Sequence, residues 1–371
     1  MDKADVVRKK KRIGILCGTS ISIILAGTLW PYNIFPPNRV SWLVDAKGIE
    51  FKRDGVVISD KPLMAKSSDA SQPCSLELLL RPAGMQFKKT ILSFYVRNSR
   101  EQFRLNQAGK ALGISGKFVD PRREPKILEL VVHDIFVQGE PVLITITSSS
   151  QGTIIYKNGR QAQAFSQVRI SLKDVSGQIV LGTSPVYYNP WEGDVHGLAL
   201  YATELTQEEV LRDYVNWTSA GEPNFSDLNG VIAYYAFVEG MGRKVHNAVI
   251  AGPDLRIPRI FRVPYKPILE TPIQEFKWSE SYGRSVLVNI AMFVPVGYLL
   301  CAYWRLGQSP RRPVLRAILG AGLLSLIIEV LQAYIPFRFS GMTDILTNTL
   351  GASLGAALMQ AGWFARGVKD N

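Results

Sequence analysis

The chain has few of the residues that build disulfide frameworks or metal centres. Of its 371 residues, only three are cysteines and three are histidines. Cys17 and Cys301 lie in uncharged apolar runs and only Cys74 lies in the polar middle, so no disulfide can form within that middle segment. The histidines are far apart in the sequence: His133, His196 and His246. We therefore expect no disulfide within the middle segment, no zinc or other metal site and no cofactor.

The net charge of +12 is concentrated in two short segments. One basic segment, residues 1–12, precedes the first apolar run, and the other, residues 305–316, lies between two later apolar runs. Lysines and arginines at the ends of membrane spans set the orientation of those spans. The distribution therefore indicates a membrane protein that contacts lipids, and it argues against a nucleic-acid partner.

Four apolar runs are long enough to cross a bilayer. The first, residues 13–30, is an uncharged run of 18 residues that we predict to be an uncleaved transmembrane anchor, with a cleaved signal peptide as the alternative. The others are near residues 286–304, 314–335 and 342–363. The positive-inside rule then predicts a multi-pass membrane protein with both termini cytoplasmic, including the tail 365–371, and with the middle segment outside.

The middle segment, residues 40–220, has the pattern of an all-β sandwich or jelly roll. Short runs alternate apolar and polar residues between turn-forming residues. The clearest predicted strands are Ser75–Leu80, Thr90–Arg97, Ile127–Val132, Val142–Thr147 and Gln178–Gly182. Asn158-Gly159 predicts a type I′ hairpin. Thr206 and Glu209 have the spacing of a capping box at the start of a helix.

The end of this segment resembles the concanavalin A-like (laminin-G-type) lectin and glucanase domains. The matching residues are Gly177–Gly182, Trp191–Tyr201 and Leu205–Val210, which occur in the family's order of strand, "W-x-G-x-I" strand and "L-s-x-x-E-V" helix. The resemblance covers about residues 45–218. The paired carboxylates of the glucanase members and a calcium loop are not evident, so the resemblance implies a binding or spacer module.

Three aromatic residues of this segment are candidates for stacking on a sugar at the rim of the sandwich: Tyr187, Tyr188 and Trp191. Packing between loops is the alternative for the same residues. Residues 221–283 follow, and their many prolines predict an extended connector that leads to the membrane, with one further strand at Val231–Val238.

Two of the predicted membrane helices carry polar residues on a single stripe. Gly322, Ser325, Glu329 and Gln332 are spaced by three and four residues. Asp344, Asn348, Gly351 and Gly355 are spaced in the same way on the next helix. A carboxylate within a bilayer costs about 2.5–3.5 kcal/mol, so we expect both stripes to face the protein interior. Arg338 is the expected counter-ion of Glu329 or Asp344; the alternative is that the carboxylates point into water at the helix ends.

The order of these motifs closely resembles the VanZ-like family. Its members have an "N-x-x-x-F-x-P-x-G" span, an "E-x-x-Q" span, an "R" loop and a "D-x-x-x-N-x-x-G" span. Residues 284–363 match them in order, and the family-like domain is expected over 284–364. The resemblance implies a shared polar set: Asn289, Glu329, Gln332, Arg338, Asp344 and Asn348. The large outer sandwich is a departure from the best-known member, which is associated with low-level teicoplanin resistance.

Three functions are consistent with these features. In the first, the protein binds envelope glycans or a lipid-linked polysaccharide and acts in cell-envelope or exopolysaccharide processes. In the second, it is an intramembrane enzyme acting on a lipid-linked saccharide, with Glu329 or Asp344 as the general base and Arg338 pairing with a phosphate. The third, a proton-coupled transporter, needs more helices than four unless the chain oligomerises.

Overall fold

The computed structural model describes residues 3–44, 46–64, 72–96, 99–116, 128–219, 229–250, 252–306 and 312–367. The chain divides into two compact units. One is Pro36–Tyr265, and the other combines Met1–Phe35 with Lys266–Asn371. Among the described residues, the first unit is all-β apart from one helix and the second is helical, so the predicted fold class is confirmed.

The β unit consists of two antiparallel sheets. Its strands are β1 (Val40–Trp42), β2 (Ile49–Phe51), β3 (Val57–Ser59), β4 (Cys74–Pro82), β5 (Lys89–Val96), β6 (Ser99–Ala108), β7 (Ala111–Gly116), β8 (Leu128–Val132), β9 (Val142–Ser149), β10 (Gly152–Lys157), β11 (Arg160–Phe165), β12 (Gln178–Leu181), β13 (Gly193–Tyr201), β14 (Val231–Tyr235), β15 (Lys244–Val245) and β16 (Leu255–Arg256). One sheet has the order β1-β2-β13-β4-β9-β10-β11, with β14 also paired to β13. The other has the order β15-β16-β3-β12-β5-β6-β7-β8.

The predicted strands and turns of this unit are confirmed where the structure describes them. The five clearest strands correspond to β4, β5, β8, β9 and β12, while Arg97 and Ile127 lie outside the described residues. The hairpin between β10 and β11 turns at Asn158 and Gly159, whose φ angles of 51° and 76° are the positive values of a type I′ turn. Helix α2 (Gln207–Thr218) begins with the capping box of Thr206 and Glu209.

The structure corrects the connector expected at residues 221–283. Three strands of this segment, β14, β15 and β16, pair with β13, β3 and each other, so much of it belongs to the sandwich. β15 and β16 have two residues each. Strands this short contain too little alternation to be recognised in a sequence.

A polar cluster is buried beneath helix α2. Glu77 of β4 is 0% exposed and accepts hydrogen bonds from Trp217 Nε1 (2.9 Å), Tyr201 Oη (3.1 Å) and Thr145 Oγ1 (3.3 Å). Burial, with a smaller contribution from the nearby Asp213 carboxylate, raises the pKa of Glu77 to about 7. Burial also raises the pKa of Asp213. The cluster therefore binds a proton more tightly when the sandwich is folded.

We expect the stability of the sandwich to fall as the pH rises from 4.5 to about 7. In this range the unfolded Glu77 has lost its proton whereas the folded one retains it, so folding becomes less favourable by up to about 3 kcal/mol. Urea unfolding of residues 36–265 at about pH 5 and about pH 8, followed by tryptophan fluorescence, measures this. Glu77→Gln should flatten the pH dependence; an equally steep decline in the variant would contradict the assignment.

The second unit is built from long helices. They are α1 (Lys3–Leu29), α4 (Glu280–Arg305), α5 (Pro313–Ala333) and α6 (Met342–Gly367), with the short α3 (Pro272–Glu275) before α4. Among the described residues, α1, α4 and α5 are long and apolar enough to cross a membrane. Helix α6, the fourth predicted span, is not among them, because threonine, serine, asparagine and aspartate interrupt its apolar surface.

Helix α1 is an integral part of the helical unit. Ile24 is buried in a core that it shares with residues of the other three long helices: Phe293, Val296, Ala321, Ile328 and Ala352. Near the middle of α1, Gly14 lies against the ring of Tyr303 on α4. Helix α1 therefore packs against the other long helices at more than one point. It does more than anchor the chain in a membrane.

Helices α4 and α6 approach each other at glycines. A methyl group on Gly351 would overlap the carbonyl oxygen of Ile290, and one on Gly355 would overlap that of Val294. From the other side, a methyl group on Gly297 would overlap the backbone of Ala352. The Gly351–Gly355 pattern thus allows two helix backbones to come into contact, as it does in many membrane helices.

Gly355→Leu should lower the thermal stability of the detergent-solubilised protein, because a side chain cannot enter this contact. Forcing extra atoms into a packed interface costs about 1–3 kcal/mol. Gly362→Leu on the same helix is the matched control, since nothing lies within 4 Å of a Cβ at that position. Equal melting temperatures for the two variants would show that the α4–α6 contact is not tight.

Candidate functional site

One cavity gathers the six residues of the shared polar set that the sequence predicts. It has a volume of about 750 Å³ and lies among α1, α4, α5 and α6. Its polar lining includes Asn289, Glu329, Gln332, Arg338, Asp344 and Asn348. The expectation that both stripes face a common interior therefore agrees with the structure.

Two hydrogen bonds join the stripe on α6 to side chains of the neighbouring helices. Asn289 of α4 donates from Nδ2 to Asp344 Oδ1 at 2.7 Å. Asn348 donates from Nδ2 to Ser325 Oγ of α5 at 2.9 Å. The Oδ1 atom of Asn348 is buried and has no hydrogen-bond partner among the described residues. An unpartnered buried acceptor is costly, so this atom favours a ligand that brings a donor.

Glu329 combines a place in the cavity with a structural contact. The residue is 2% exposed, and its Oε2 accepts a hydrogen bond from the backbone N–H of Gly341 at 2.9 Å. Nearby, Glu275 Oε2 accepts from the backbone N–H of Thr343 at 2.8 Å. The first N–H groups of a helix have no partner within it, and these carboxylates satisfy such groups at the start of α6.

Arg338 does not pair with the carboxylates as expected. It donates to the carbonyl oxygens of Gly27 (3.1 Å) and Trp30 (3.3 Å) at the end of α1. No ion pair joins it to Glu329 or Asp344 in the described part of the chain. The last carbonyls of a helix lack partners within it, and Arg338 supplies donors to them. Its Nε atom is buried and has no partner among the described residues.

Two further side chains cap helix ends beside the cavity. Gln332 Nε2 donates to the carbonyl of Thr28 on α1 at 2.9 Å. Lys266 Nζ donates to the carbonyls of Gln332 (3.1 Å) and Ile335 (2.6 Å) at the end of α5. Burial lowers the pKa of Lys266 to about 8, because the charged ammonium loses part of its hydration.

Sequence reasoning missed the contribution of α1. Ser20, Ile24, Gly27 and Thr28 line the cavity. Their spacing of four, seven and eight residues places them on one helical face, which was the available signal. Lys266 was also missed, because a single lysine in a loop carries no pattern.

The three aromatic candidates of the sandwich have different environments. Trp191 is 0% exposed, packs against Phe51 and donates from Nε1 to Gln107 Oε1 at 2.8 Å. Its ring therefore has no open face for a sugar, so for this residue the structure favours the packing alternative. Tyr187 and Tyr188 are half-buried. Tyr187 contacts Arg104, and Tyr188 donates to Asp54 Oδ1 at 2.7 Å.

The chain is thus a membrane protein that combines a β-sandwich with a helical domain. Residues 243–364 match the family model described as VanZ/LLP1. The resemblance to the VanZ-like family predicted from the polar motifs is confirmed by this match. The match begins before the expected residue 284, within the last strands of the sandwich unit. No curated protein matches the chain.

Several solved structures resemble part of the chain at low TM-scores. A Bacteroides ovatus protein, provisionally described as carbohydrate-binding, is 14% identical, covers 59% of each chain and has a TM-score of 0.41. The receptor-binding domain of botulinum neurotoxin D is 14% identical, with 47% of this chain and 45% of that one covered and a TM-score of 0.35. The CBM40 of a Ruminococcus gnavus IT-sialidase, bound to sialyllactose, is 12% identical, with 47% and 100% covered and a TM-score of 0.34. Likenesses this weak carry no argument about function.

Arg338→Ala should loosen the end of α1, because the Gly27 and Trp30 carbonyls lose their donors. Each lost hydrogen bond to a charged group corresponds to about 1.5–3 kcal/mol, so amide exchange at residues 27–32 should become at least about tenfold faster. Hydrogen exchange measured by mass spectrometry in detergent tests this. Arg316→Ala is the control, since Arg316 lies over the Trp304 ring. Unchanged exchange at residues 27–32 in Arg338→Ala would contradict the capping role.

Proposed function

We propose that the protein binds a lipid-linked saccharide and acts in a cell-envelope or exopolysaccharide process, with the saccharide-bearing headgroup in the polar cavity. The observation that supports this most directly is the convergence of the six predicted polar residues on one cavity of about 750 Å³. Such residues are expensive within a membrane and mark binding or transport sites when they face an interior.

The hydrogen-bonding groups of the cavity suit a headgroup with both hydroxyls and a phosphate. Asn348 Oδ1 needs a donor, and the carboxylates of Glu329 and Asp344 accept further hydrogen bonds from hydroxyls. Arg338 Nε needs an acceptor, and a guanidinium is a favourable partner of phosphate oxygens. A saccharide joined to a lipid through phosphate presents both kinds of group.

The apolar lining supports an amphiphile over a free sugar. Ile23 and Ile24 of α1 and Val288 and Met292 of α4 line the same cavity. Ile23 is 67% exposed and Val288 47% exposed, so this part of the lining continues onto the outer surfaces of the two helices. A lipid chain can lie against these residues within the bilayer while its headgroup occupies the polar part.

The proposal places the sandwich outside a bacterial plasma membrane, where it binds envelope glycans, and both termini in the cytoplasm. Contacts among the basic residues support this topology. Lys10 lies 4.9 Å from the ring centroid of Tyr303, and Arg316 lies 5.3 Å from that of Trp304. Lys10 of the first basic segment and Arg316 of the second therefore lie at the same end of the helices, as the positive-inside rule requires. On the sandwich, Tyr187 and Tyr188 stay candidates for contact with a sugar.

The second candidate is an intramembrane enzyme that acts on the same lipid-linked saccharide. Glu329 and Asp344 both line the cavity with Arg338, which favours this alternative. One oxygen of each carboxylate already accepts a hydrogen bond, from Gly341 N–H and Asn289 Nδ2 respectively. A general base needs only its other oxygen to reach the substrate.

Binding by full-length protein in zwitterionic nanodiscs tests the proposal. Three probes are compared by native mass spectrometry: a polyprenyl-diphosphate disaccharide, the same polyprenyl phosphate without sugar, and the free disaccharide. Wild type should prefer the first probe. Asp344→Asn and Asn348→Ala should weaken its binding by about tenfold or more, since a hydrogen bond to a charged or buried group is lost.

Ser353→Ala is the matched control, because this serine of α6 donates to the carbonyl of Thr349 in its own helix. Equal affinity of wild type and Asp344→Asn would contradict binding in the cavity. If residues 36–265 bind the free disaccharide as tightly as the full-length protein binds the first probe, recognition belongs to the sandwich alone. If wild type converts the first probe to a product of different mass and Glu329→Gln does not, the intramembrane enzyme is the better proposal.

A further inference from the structure

A second cavity lies at the other end of the helical unit, where α4 ends and α5 begins. Its volume is about 650 Å³. Arg305, Arg312 and Gln360 form its polar lining, and Val314, Leu315 and Ile318 contribute apolar walls. None of the polar residues discussed above takes part in it.

The charge of this cavity is of one sign. Its described lining contains two arginines and no aspartate or glutamate, in contrast to the first cavity with its two carboxylates. Arg312 makes no side-chain hydrogen bond and no ion pair with any described residue. It precedes helix α5, whose N-terminal end adds partial positive charge. The lining therefore suits an anion.

The surroundings of the cavity are those of a membrane–water interface. Arg316 lies over Trp304, and Lys10 lies over Tyr303. The two rings are in edge contact, with centroids 5.8 Å apart. Aromatic rings beside lysine and arginine are typical of the headgroup level of a bilayer.

An apolar track leads from this cavity along α5. Leu315 lines the cavity, and Leu319 and Leu323 follow on the same helical face. These leucines are 44%, 63% and 59% exposed. Leucines that remain exposed along a membrane-spanning helix lie against lipid chains, so a headgroup in the cavity would have its acyl chains along this track.

We propose that this second cavity binds the phosphate of an anionic phospholipid, with Arg305 and Arg312 as its cationic partners and Gln360 as a neutral donor. Basic pockets between membrane helices are a known way to hold such headgroups. A phosphate group fits the donors in geometry as well as charge, because guanidinium groups donate two parallel hydrogen bonds to its oxygens. The inference is independent of the function proposed for the first cavity.

The test is lipid retention by the full-length protein. The protein is equilibrated with mixed micelles of phosphatidylglycerol and phosphatidylcholine, and bound lipid is counted by native mass spectrometry. Wild type should retain phosphatidylglycerol in preference to phosphatidylcholine. The double variant Arg305→Gln/Arg312→Gln should bind it about thirtyfold more weakly, since each basic residue near a lipid headgroup contributes about fivefold.

The matched control is the double variant Arg256→Gln/Arg259→Gln, which removes the same charge from two exposed positions of the sandwich. Arg312→Gln alone serves as the second variant if the double variant does not fold, and it should show about a fivefold loss. Equal retention of phosphatidylglycerol by wild type and the Arg305/Arg312 variants would overturn the proposal. Displacement of the lipid by millimolar inorganic phosphate would overturn the claim that the cavity selects a phospholipid, and would show a site for simple anions.

Discussion

The contact between the backbones of α4 and α6 is the constraint on which the helical unit depends. Gly351 and Gly355 present no side chain to α4, so the helices approach until the carbonyls of Ile290 and Val294 lie where a Cβ would be. At that separation, Asn289 of α4 reaches Asp344 of α6 at 2.7 Å. A wider spacing would break this hydrogen bond, and a polar group that leaves water without gaining a partner is costly.

Several polar side chains at the cavity are engaged at helix ends as well as with the cavity itself. Arg338 and Gln332 donate to the last carbonyls of α1, and Lys266 donates to those of α5. Glu329 accepts from the backbone next to the start of α6. These backbone groups have no partner within their own helices, and the side chains supply one. A polar residue in a membrane span is therefore weak evidence for catalysis until the hydrogen bonds that it makes for structural reasons have been identified.

The sequence predicted the features that depend on periodicity and missed those that depend on partners. Spacing by three and four residues was enough to bring Glu329, Gln332, Asp344 and Asn348 to one cavity. The spacing could not predict the partner of Arg338, because that partner is a backbone carbonyl of α1. Every residue has such a carbonyl, so the sequence does not mark the one that accepts the hydrogen bond. The hairpin at Asn158-Gly159 was predictable because the turn chemistry is local. The two-residue strands β15 and β16 were not, since their pairing depends on sheet edges formed elsewhere in the chain.

The two cavities of the helical unit differ in the physical basis of their selectivity. The first combines carboxylates, amides and a guanidinium, so it discriminates by matching donors and acceptors in space, and the loss of one group leaves another unpartnered. The second has arginines as its charged groups, so it discriminates by charge. Charge-based binding near an interface weakens as salt screens it, with a screening length of about 8 Å at physiological ionic strength. Binding to the buried Glu329 and Asn348 of the first cavity is screened less, because solvent ions cannot approach these side chains closely.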